Sequence, residues 1–343
     1  MLQPITFTRP ITVAATIVAS LWAAGALAHT AGLQRLSVPY HGTQIDVALW
    51  YPAAAPEARI EAGPFSTQAA GGADITAGRH PLLLLSHGTG GMNLNHHPLA
   101  SALARAGYMV AAPTHPGDNF RDRSLIADPR YWGERPRQLS IVLDALLGSA
   151  RFGASIDRDR IGAIGHSAGG YGVAALVGLH ADRQRLNAHC RHSDDPSCAY
   201  ADPDYGVSNP RPDPLKLPDS VIENARVADS RIRSVALLAP LGAVLADDAR
   251  ARPEVSLLML IAERDQVLPA NQHARRISAL APSIEVETVS GAGHFSFMAP
   301  VDARWRPMLG MIAEDPEGFD RQAFQPHLAN RLIQWFDENL TKH

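Results

Sequence analysis

The most constraining feature of the chain is the sequence Gly-His-Ser-Ala-Gly at residues 165–169, with Ser167 at its centre. Residues 159–165 before it have a strand-like pattern, and the small residues at 170–179 after it favour a helix. A serine between a strand and a helix is typical of a nucleophile elbow, a sharp turn that exposes the side-chain oxygen. Glycines on both sides allow the close backbone approach that such a turn needs. We therefore predict Ser167 as a catalytic nucleophile at the N-terminus of a helix, where negative charge is stabilised.

An upstream segment predicts the hydrogen-bond donors that such a nucleophile requires. Residues 81–86 form an apolar run typical of a buried strand, and the sequence His-Gly-Thr-Gly-Gly follows at residues 87–91. Enzymes with this elbow bind the reacting oxyanion through two backbone N–H groups, one after the nucleophile and one in the loop after an earlier strand. We predict the N–H groups of Ala168 and Thr89 as these donors. Loss of one such donor typically raises the barrier by about 3 kcal/mol.

Two downstream segments supply candidates for a base and an acid. An apolar strand at residues 255–261 precedes Asp265, and an alternating strand at residues 284–289 precedes a glycine-rich loop that contains His294. The chain order Ser167, Asp265, His294 matches one of the known orders of a catalytic triad. We expect His294 to accept the proton of Ser167 and Asp265 to orient the imidazole. The alternative acids are Glu263, Asp247 and Asp248.

Strand-like and helix-like segments alternate along the chain and predict an α/β protein with a mainly parallel sheet and helices on both faces. The first two strands have no helix between them and predict an antiparallel edge. In such sheets the ligand lies at the carboxyl ends of the strands, where Ser167, Asp265 and His294 all fall. We predict strands at residues 36–39, 45–51, 82–86, 108–113, 161–165, 235–239, 257–261 and 286–289, and helices at residues 98–106, 138–147, 168–179, 270–280 and 329–339.

Together these motifs resemble the α/β-hydrolase superfamily. The glycine-rich sequence at residues 87–91, the sequence Ala-Pro-Thr-His-Pro-Gly-Asp at 112–118 and the elbow are similar to bacterial dienelactone-hydrolase-like proteins, which are related to platelet-activating-factor acetylhydrolases. The likeness extends from about residue 33 onwards and implies the α/β-hydrolase fold. Dienelactone hydrolases use a cysteine nucleophile, so Ser167 favours ordinary ester cleavage. The acetylhydrolases carry their acid one strand earlier, at the position of Leu238 here, so Asp265 must replace it.

The N-terminus has the pattern of a signal peptide. Arg9 precedes an apolar run that ends in Ala-Leu-Ala at residues 26–28, which predicts cleavage after Ala28, although an uncleaved anchor is an alternative. We predict that residues 29–343 form a single α/β-hydrolase domain in the periplasm or outside the cell. The net charge of −3, without a basic stripe, argues against a nucleic-acid partner. No later apolar run is long enough to span a bilayer, so we expect no stable membrane insertion once the signal is removed.

The two cysteines, Cys190 and Cys198, lie in the least regular part of the sequence. An exported context and a short separation favour a disulfide between them. Nearby His189 and His192 fit no common zinc spacing, so we expect no metal. Six prolines within residues 187–222 predict an irregular excursion after the nucleophile helix, either a surface loop or a lid over the site. These prolines are at positions 196, 203, 210, 212, 214 and 218.

These observations lead to one functional hypothesis, an exported serine hydrolase of carboxylic esters that needs no cofactor. Its partner would be a small-molecule or lipid-like ester, and the oligomeric state is left open. The alternatives are a lipase or polyesterase, a phospholipid acetylhydrolase, a serine peptidase of the prolyl-oligopeptidase kind, or a non-catalytic binding protein. A peptidase of that kind would normally bring a gating domain, for which about 80 residues before His87 leave little room. The candidates for an apolar substrate pocket are Trp305, Met308, Met311 and Phe319.

Overall fold

A mixed sheet of ten strands runs through the described part of this computed structural model, which covers residues 29–126, 128–193, 195–201, 215–218, 220–221 and 227–340. The sheet includes all eight strands predicted from the sequence and two more. In chain order the strands are β1 (Thr30–Tyr40), β2 (Thr43–Ala53), β3 (Ala58–Ala62), β4 (Phe65–Gly71), β5 (His80–Ser86), β6 (Met109–Thr114), β7 (Ile156–His166), β8 (Ile232–Leu238), β9 (Ser256–Ala262) and β10 (Glu285–Val289).

The strand order across the sheet is β10-β9-β8-β7-β5-β6-β2-β1-β4-β3. The six strands from β10 to β6 pair in parallel. β2 joins them antiparallel to β6, and β1 then pairs antiparallel with β2. The sheet is therefore mainly parallel with an antiparallel end, and the carboxyl ends of its parallel strands meet along one edge.

Apolar side chains cover both faces of this sheet. In β5, Leu82 and Leu84 belong to one core, while Leu83 and Leu85 belong to the other. The helices α2, α3 and α5 pack on the first face, and α1 and α7 pack on the second. Strands that are buried on both faces have continuous apolar sequences, which is the pattern seen before Ser167 and Asp265. The helices are α1 (His97–Arg105), α2 (Tyr131–Leu147), α3 (Ala168–Ala175), α4 (Arg183–Cys190), α5 (Ala274–Leu280), the one-turn α6 (Arg306–Leu309) and α7 (Arg321–Asn339).

Two helices begin earlier than predicted. Each contains a proline, and the predicted helix began only after that proline. α2 begins at Tyr131 rather than at residue 138 and includes Pro136, which cannot donate to the carbonyl four residues before it. That carbonyl, of Trp132, instead accepts a hydrogen bond of 2.5 Å from the hydroxyl of Tyr171 in α3. A tertiary contact thus satisfies the group that the proline leaves open. α7 likewise begins eight residues early and includes Pro326.

The prediction of irregular chain at residues 187–222 is wrong at two places. α4 continues to Cys190, because Asp182 caps its N-terminus by accepting from the N–H of Gln184 and residues 183–195 contain no proline. A 3₁₀ helix then spans Pro196–Ala201. The sulfurs of Cys190 and Cys198 form the expected disulfide between these two helices. Much of the remaining excursion lies outside the described residues.

The predicted signal peptide at residues 1–28 also lies outside the described residues, and its cleavage stays a prediction. Within the part of the chain that the structure describes, no helix combines the length and apolar character needed to cross a bilayer.

Candidate active site

Ser167 lies on a strained turn between β7 and α3. Its φ of 57° and ψ of −122° are unusual for a residue with a side chain. The flanking glycines leave no room for a larger residue. A β-carbon on Gly165 would lie 2.1 Å from the carbonyl oxygen of Gly169, and one on Gly169 would lie 2.2 Å from that of Ser86. The close approach of β5, β7 and α3 therefore fixes the turn that presents the Ser167 hydroxyl.

A continuous chain of hydrogen bonds connects the three residues predicted as a triad. His294 Nε2 lies 2.9 Å from Ser167 Oγ, and His294 Nδ1 lies 2.8 Å from Asp265 Oδ2. A carboxylate can only accept, so Nδ1 carries the imidazole proton and Nε2 is left as the acceptor for the Ser167 hydroxyl. The structure brings together all three side chains, which come from loops after three different strands.

Asp265 is held in place from its other side. Its Oδ1 accepts hydrogen bonds from the N–H groups of Val267 (2.9 Å) and Leu268 (2.7 Å), and its side chain is only 3 % exposed. The alternative acids lie elsewhere. Asp247 is 78 % exposed and pairs with arginines, and Asp248 contacts His180. Glu263 accepts from Ser290 and Gly291 at the surface.

His166, within the elbow sequence, supports the backbone of His294. Burial lowers the pKa of His166 well below its ordinary value. The ring is therefore neutral, and its Nε2 donates to the carbonyl oxygen of His294 at 2.8 Å. A second support is the N–H of Gly293, which donates to the hydroxyl of Ser296 at 3.0 Å. Sequence reasoning gave His166 no role, because the elbow pattern leaves that position open.

The residues predicted as oxyanion donors lie on both sides of Ser167. Ala168 is the first residue of α3, so no helical carbonyl is positioned to accept its N–H. Thr89 lies in the loop at residues 87–91, which we call the glycine loop, and lines the same cavity as Ser167. A β-carbon on Gly88 would be 3.1 Å from that of Ser167, so this loop passes directly against the elbow.

A buried ion pair holds the glycine loop. The carboxylate of Asp118 pairs with the guanidinium of Arg135, and both side chains are 1 % exposed. Asp118 Oδ1 also accepts from the N–H of Gly90 at 2.8 Å, and Oδ2 accepts from the hydroxyl of Tyr131 at 2.9 Å. Arg135 donates in turn to the carbonyl oxygen of His87. The pair therefore fixes the loop backbone on both sides of Thr89, and sequence reasoning assigned neither Asp118 nor Arg135 this role.

Two neutral histidines extend this support. Burial lowers the pKa values of His87 and His115 well below their ordinary value, and the nearby charge of Arg135 lowers both further. His87 Nδ1 donates to the carbonyl oxygen of Gly88 at 2.6 Å, and its Nε2 accepts from the N–H of His115 at 3.1 Å. His115 contacts Ser86 in β5 (2.9 Å). The histidines thus connect the loop to the ends of β5 and β6.

A largely apolar cavity of about 800 Å³ opens over Ser167 and His294. Three of the four residues predicted to line it do so, namely Trp305, Met308 and Met311. Phe319 does not line this cavity, because its ring packs against Phe324 at 5.3 Å between centroids. Other apolar residues around the cavity are Phe65, Met92, Phe120, Val267, Leu268, Phe295, Met298, Val301, Leu309 and Ile312.

The disulfide segment, residues 190–198, forms part of the same cavity through Pro196 and Ser197. Its buried Asp195 accepts from the N–H and the hydroxyl of Ser197 and from His189 Nε2 at 2.5 Å. Ligand atoms of His189, Asp195 and Cys198 lie within 4.8 Å of one another, but the sulfur of Cys198 is in the disulfide. In this structure the cluster is therefore a hydrogen-bond network that orders the segment.

No protein-family model and no curated protein matches the chain. Among solved structures, the chain is similar to a ferulic acid esterase from Streptomyces cinnamoneus. The TM-score is 0.56 and the sequence identity is 20 %, over 92 % of this chain and 91 % of the other. A likeness at this identity concerns the fold. The α/β-hydrolase fold predicted from the sequence is confirmed, while the narrower likeness to dienelactone-hydrolase-like proteins stays a prediction.

Proposed function

We propose that the protein is a serine hydrolase that cleaves carboxylic esters. The observation that carries this proposal is the hydrogen-bonded chain from shielded Asp265 through His294 to Ser167, at a strained turn beside an apolar cavity. An ordinary surface serine needs neither a strained backbone nor an imidazole oriented towards its hydroxyl. The fold shared with a ferulic acid esterase supports the same reaction class.

In the first half of the proposed reaction, Ser167 Oγ attacks the carbonyl carbon of the ester as His294 Nε2 removes the hydroxyl proton. Asp265 stabilises the imidazolium that forms and keeps the ring in the orientation seen here. The carbonyl oxygen becomes an oxyanion that accepts from the N–H groups of Ala168 and Thr89. His294 then gives its proton to the alcohol oxygen as the ester bond breaks, and the acyl group stays on Ser167.

In the second half, water takes the place of the alcohol. His294 removes a proton from the water, whose oxygen attacks the acyl carbon, and the proton then returns to Ser167 as the carboxylic acid leaves. The same donors hold the second oxyanion. The Asp118–Arg135 pair would act in both halves by keeping the glycine loop in register with the elbow, since donors must be in place before charge develops.

The cavity favours an apolar or aromatic group next to the scissile ester. Trp305, Phe295 and Phe65 provide aromatic surface, and the solved relative is named for an aromatic acid. The breadth of the cavity also suits the long acyl chains of a lipase-like substrate, and a series of 4-nitrophenyl esters of increasing chain length would separate the two. We further propose export, on the basis of the predicted signal peptide and the disulfide, which persists in oxidising compartments.

Replacement of the nucleophile is the direct test. We expect Ser167→Ala to reduce turnover of 4-nitrophenyl butyrate by on the order of 10⁴-fold or more while circular dichroism stays unchanged. A fluorophosphonate probe should label wild-type protein on the peptide that contains Ser167. Ser101→Ala, in α1 away from the cavity, is the matched control. A folded Ser167→Ala protein that keeps a tenth of the activity would exclude Ser167 as the nucleophile.

The acid is tested by a pair of Asp→Asn substitutions. Asp265→Asn should lower kcat by on the order of 10⁴-fold, because an amide at this position favours the wrong imidazole tautomer. Asp247→Asn should leave kcat unchanged, since that side chain is exposed and bound to arginines. The opposite ranking would move the acid one strand earlier, as in the acetylhydrolases.

A further inference from the structure

The charged groups around the cavity are unbalanced. Among the described residues that line it, only Arg35, Glu61, Arg121 and Arg123 carry a permanent charge. Glu61 is matched by two arginines outside this set, Arg59 at 2.5 Å and Arg304 at 3.6 Å. The remaining charge of the cavity wall is therefore that of three guanidinium groups.

None of these three guanidinium groups lies within 4.0 Å of a carboxylate of the described residues. The Arg121 guanidinium lies over the ring of Phe120, 4.8 Å from its centroid. Many arginines elsewhere in the chain pair with an acid, including Arg105, Arg135 and Arg231. Three arginines around one cavity that pair with no acid of the described residues leave positive charge available to a ligand.

The carboxylate between two of these arginines is turned away from the cavity. Asp122 is buried, and its oxygens accept from the N–H groups of Gly117 (3.2 Å) and Ser124 (3.1 Å). Buried Asn119 accepts from the N–H groups of Arg121 (2.9 Å) and Asp122 (3.1 Å). The backbone of this turn is thus fixed from the inside, while the side chains of Arg121 and Arg123 are exposed at the cavity.

This turn is attached directly to the glycine loop. The N–H of Phe120 donates to the carbonyl oxygen of Gly91 at 3.2 Å, and Asp118 accepts from Gly90. The guanidinium of Arg123 lies against Gly90, where an added β-carbon would be 2.8 Å from Nη2. Gly90 is adjacent to Thr89, the proposed oxyanion donor. An anionic group bound by Arg123 would therefore lie near the reacting ester.

We propose that Arg121 and Arg123, with Arg35 at the rim, form a subsite for an anionic group of the substrate, a carboxylate or a phosphate. The proposal rests on the proposed function and narrows it to esters that carry such a group on the acyl or the alcohol side. Guanidinium groups present paired N–H donors that match the oxygens of both anions. The apolar remainder of the cavity would hold the hydrocarbon part of the same substrate.

The test compares matched anionic and neutral esters. One pair is mono-4-nitrophenyl suberate and its methyl ester, with the charge on the acyl side. The other compares 4-(butyryloxy)benzoate and 4-(butyryloxy)phenyl phosphate with methyl 4-(butyryloxy)benzoate, with the charge on the alcohol side. We expect kcat/KM of the wild type to favour at least one anionic member by about tenfold, as a hydrogen bond to a charged group supplies. Which member is preferred shows whether a carboxylate or a phosphate is bound.

The double variant Arg121→Ala/Arg123→Ala should lose this preference, so that kcat/KM falls about tenfold more for the anionic esters than for the neutral ones. Arg79→Ala, an exposed arginine just before β5 at the opposite edge of the sheet, should change neither. Addition of 0.5 M NaCl should weaken the preference, because the arginines are solvent-accessible. A wild type without preference for anionic esters, or a double variant that loses activity on both kinds equally, would overturn the proposal.

Binding to the Ser167→Ala variant separates this proposal from the proposed function. Calorimetry should detect mono-4-nitrophenyl suberate with Ser167→Ala, and should show much weaker binding when Arg121 and Arg123 are also replaced by alanine. Binding of this kind without turnover by the wild type would keep the anion subsite and reject the esterase. Turnover of neutral esters without anion preference would keep the esterase and reject the subsite.

Discussion

The glycine loop at residues 87–91 and the disulfide segment at residues 190–198 both border the cavity, but different interactions hold them in place. The glycine loop is held by a fully buried ion pair, Asp118 and Arg135, and by neutral buried histidines. The disulfide segment is held by a covalent bond and by hydrogen bonds around Asp195. The glycine loop carries the proposed oxyanion donor Thr89, whereas the disulfide segment contributes Pro196 and Ser197 to the cavity wall. Reaction geometry and substrate range should therefore respond to different substitutions.

The largest effect on stability should come from Arg135→Met. This substitution leaves the carboxylate of Asp118 buried without its guanidinium, and loss of one partner of a buried pair costs about 3–5 kcal/mol. Arg59→Met is the matched control, because the Arg59–Glu61 pair is exposed and such pairs contribute little to stability. Urea unfolding measures both. Equal losses would show that the buried pair is not what holds the glycine loop.

Acid should have the second-largest effect on stability, through the two buried histidines at the start of α1. Burial lowers the pKa values of His96 and His97 to about 4. The unfolded chain therefore binds more protons between pH 6.5 and 4, so stability is full above pH 6.5 and falls as the pH is lowered. At pH 5 each of these histidines should cost about 2 kcal/mol of unfolding free energy, and the two together about 4 kcal/mol.

Urea unfolding at a series of pH values from 7 to 5 measures this loss. His97→Leu should reduce the slope by about one proton, because leucine does not titrate. The substitution breaks no hydrogen bond of Nδ1, which has no partner among the described residues. His327→Gln, at an exposed position in α7, serves as the control. If His97→Leu keeps the full slope, the acid sensitivity comes from groups other than this histidine.

The disulfide segment should give the smallest loss of stability and a change of specificity instead. The ring closed by Cys190 and Cys198 is short, so the double Cys→Ser variant should lose about 2–3 kcal/mol at most. Because Pro196 and Ser197 line the cavity, its relative rates on short and long 4-nitrophenyl esters should shift. Wild-type protein treated with a reductant should behave in the same way. An unchanged chain-length profile would place the determinants of specificity in the segment at residues 295–325.

The sequence predicted the parts of the molecule that depend on local pattern. The elbow around Ser167, the loop with His294 and the central strands all have neighbours in the sequence that indicate their geometry. The β3–β4 hairpin escaped prediction because β3 has only five residues and β4 consists mostly of small and polar residues. Its turn, at Gly63 and Pro64, is the one clear signal in that segment.

Long-range pairings explain the other omissions. Nothing in the sequence indicates that Arg135 pairs with Asp118 rather than with another acid, because the choice depends on how α2 packs against the loop after β6. The start of α2 was misplaced for a related reason. Pro136 is compatible with a helix only because the hydroxyl of Tyr171, 39 residues away from Trp132, satisfies the carbonyl that the proline leaves open.

The turn at residues 119–123 has a consequence for how this protein can evolve. Its inward side chains, Asn119 and Asp122, hold the backbone, while the side chains of Arg121 and Arg123 are exposed and pair with no carboxylate of the described residues. Substitutions at exposed positions of this kind usually change stability by less than about 0.5 kcal/mol. One or two codon changes could therefore remove or reverse the charge presented to a substrate while the fold and the proposed triad remain intact. Related chains that differ at these two positions would be expected to act on esters of different charge.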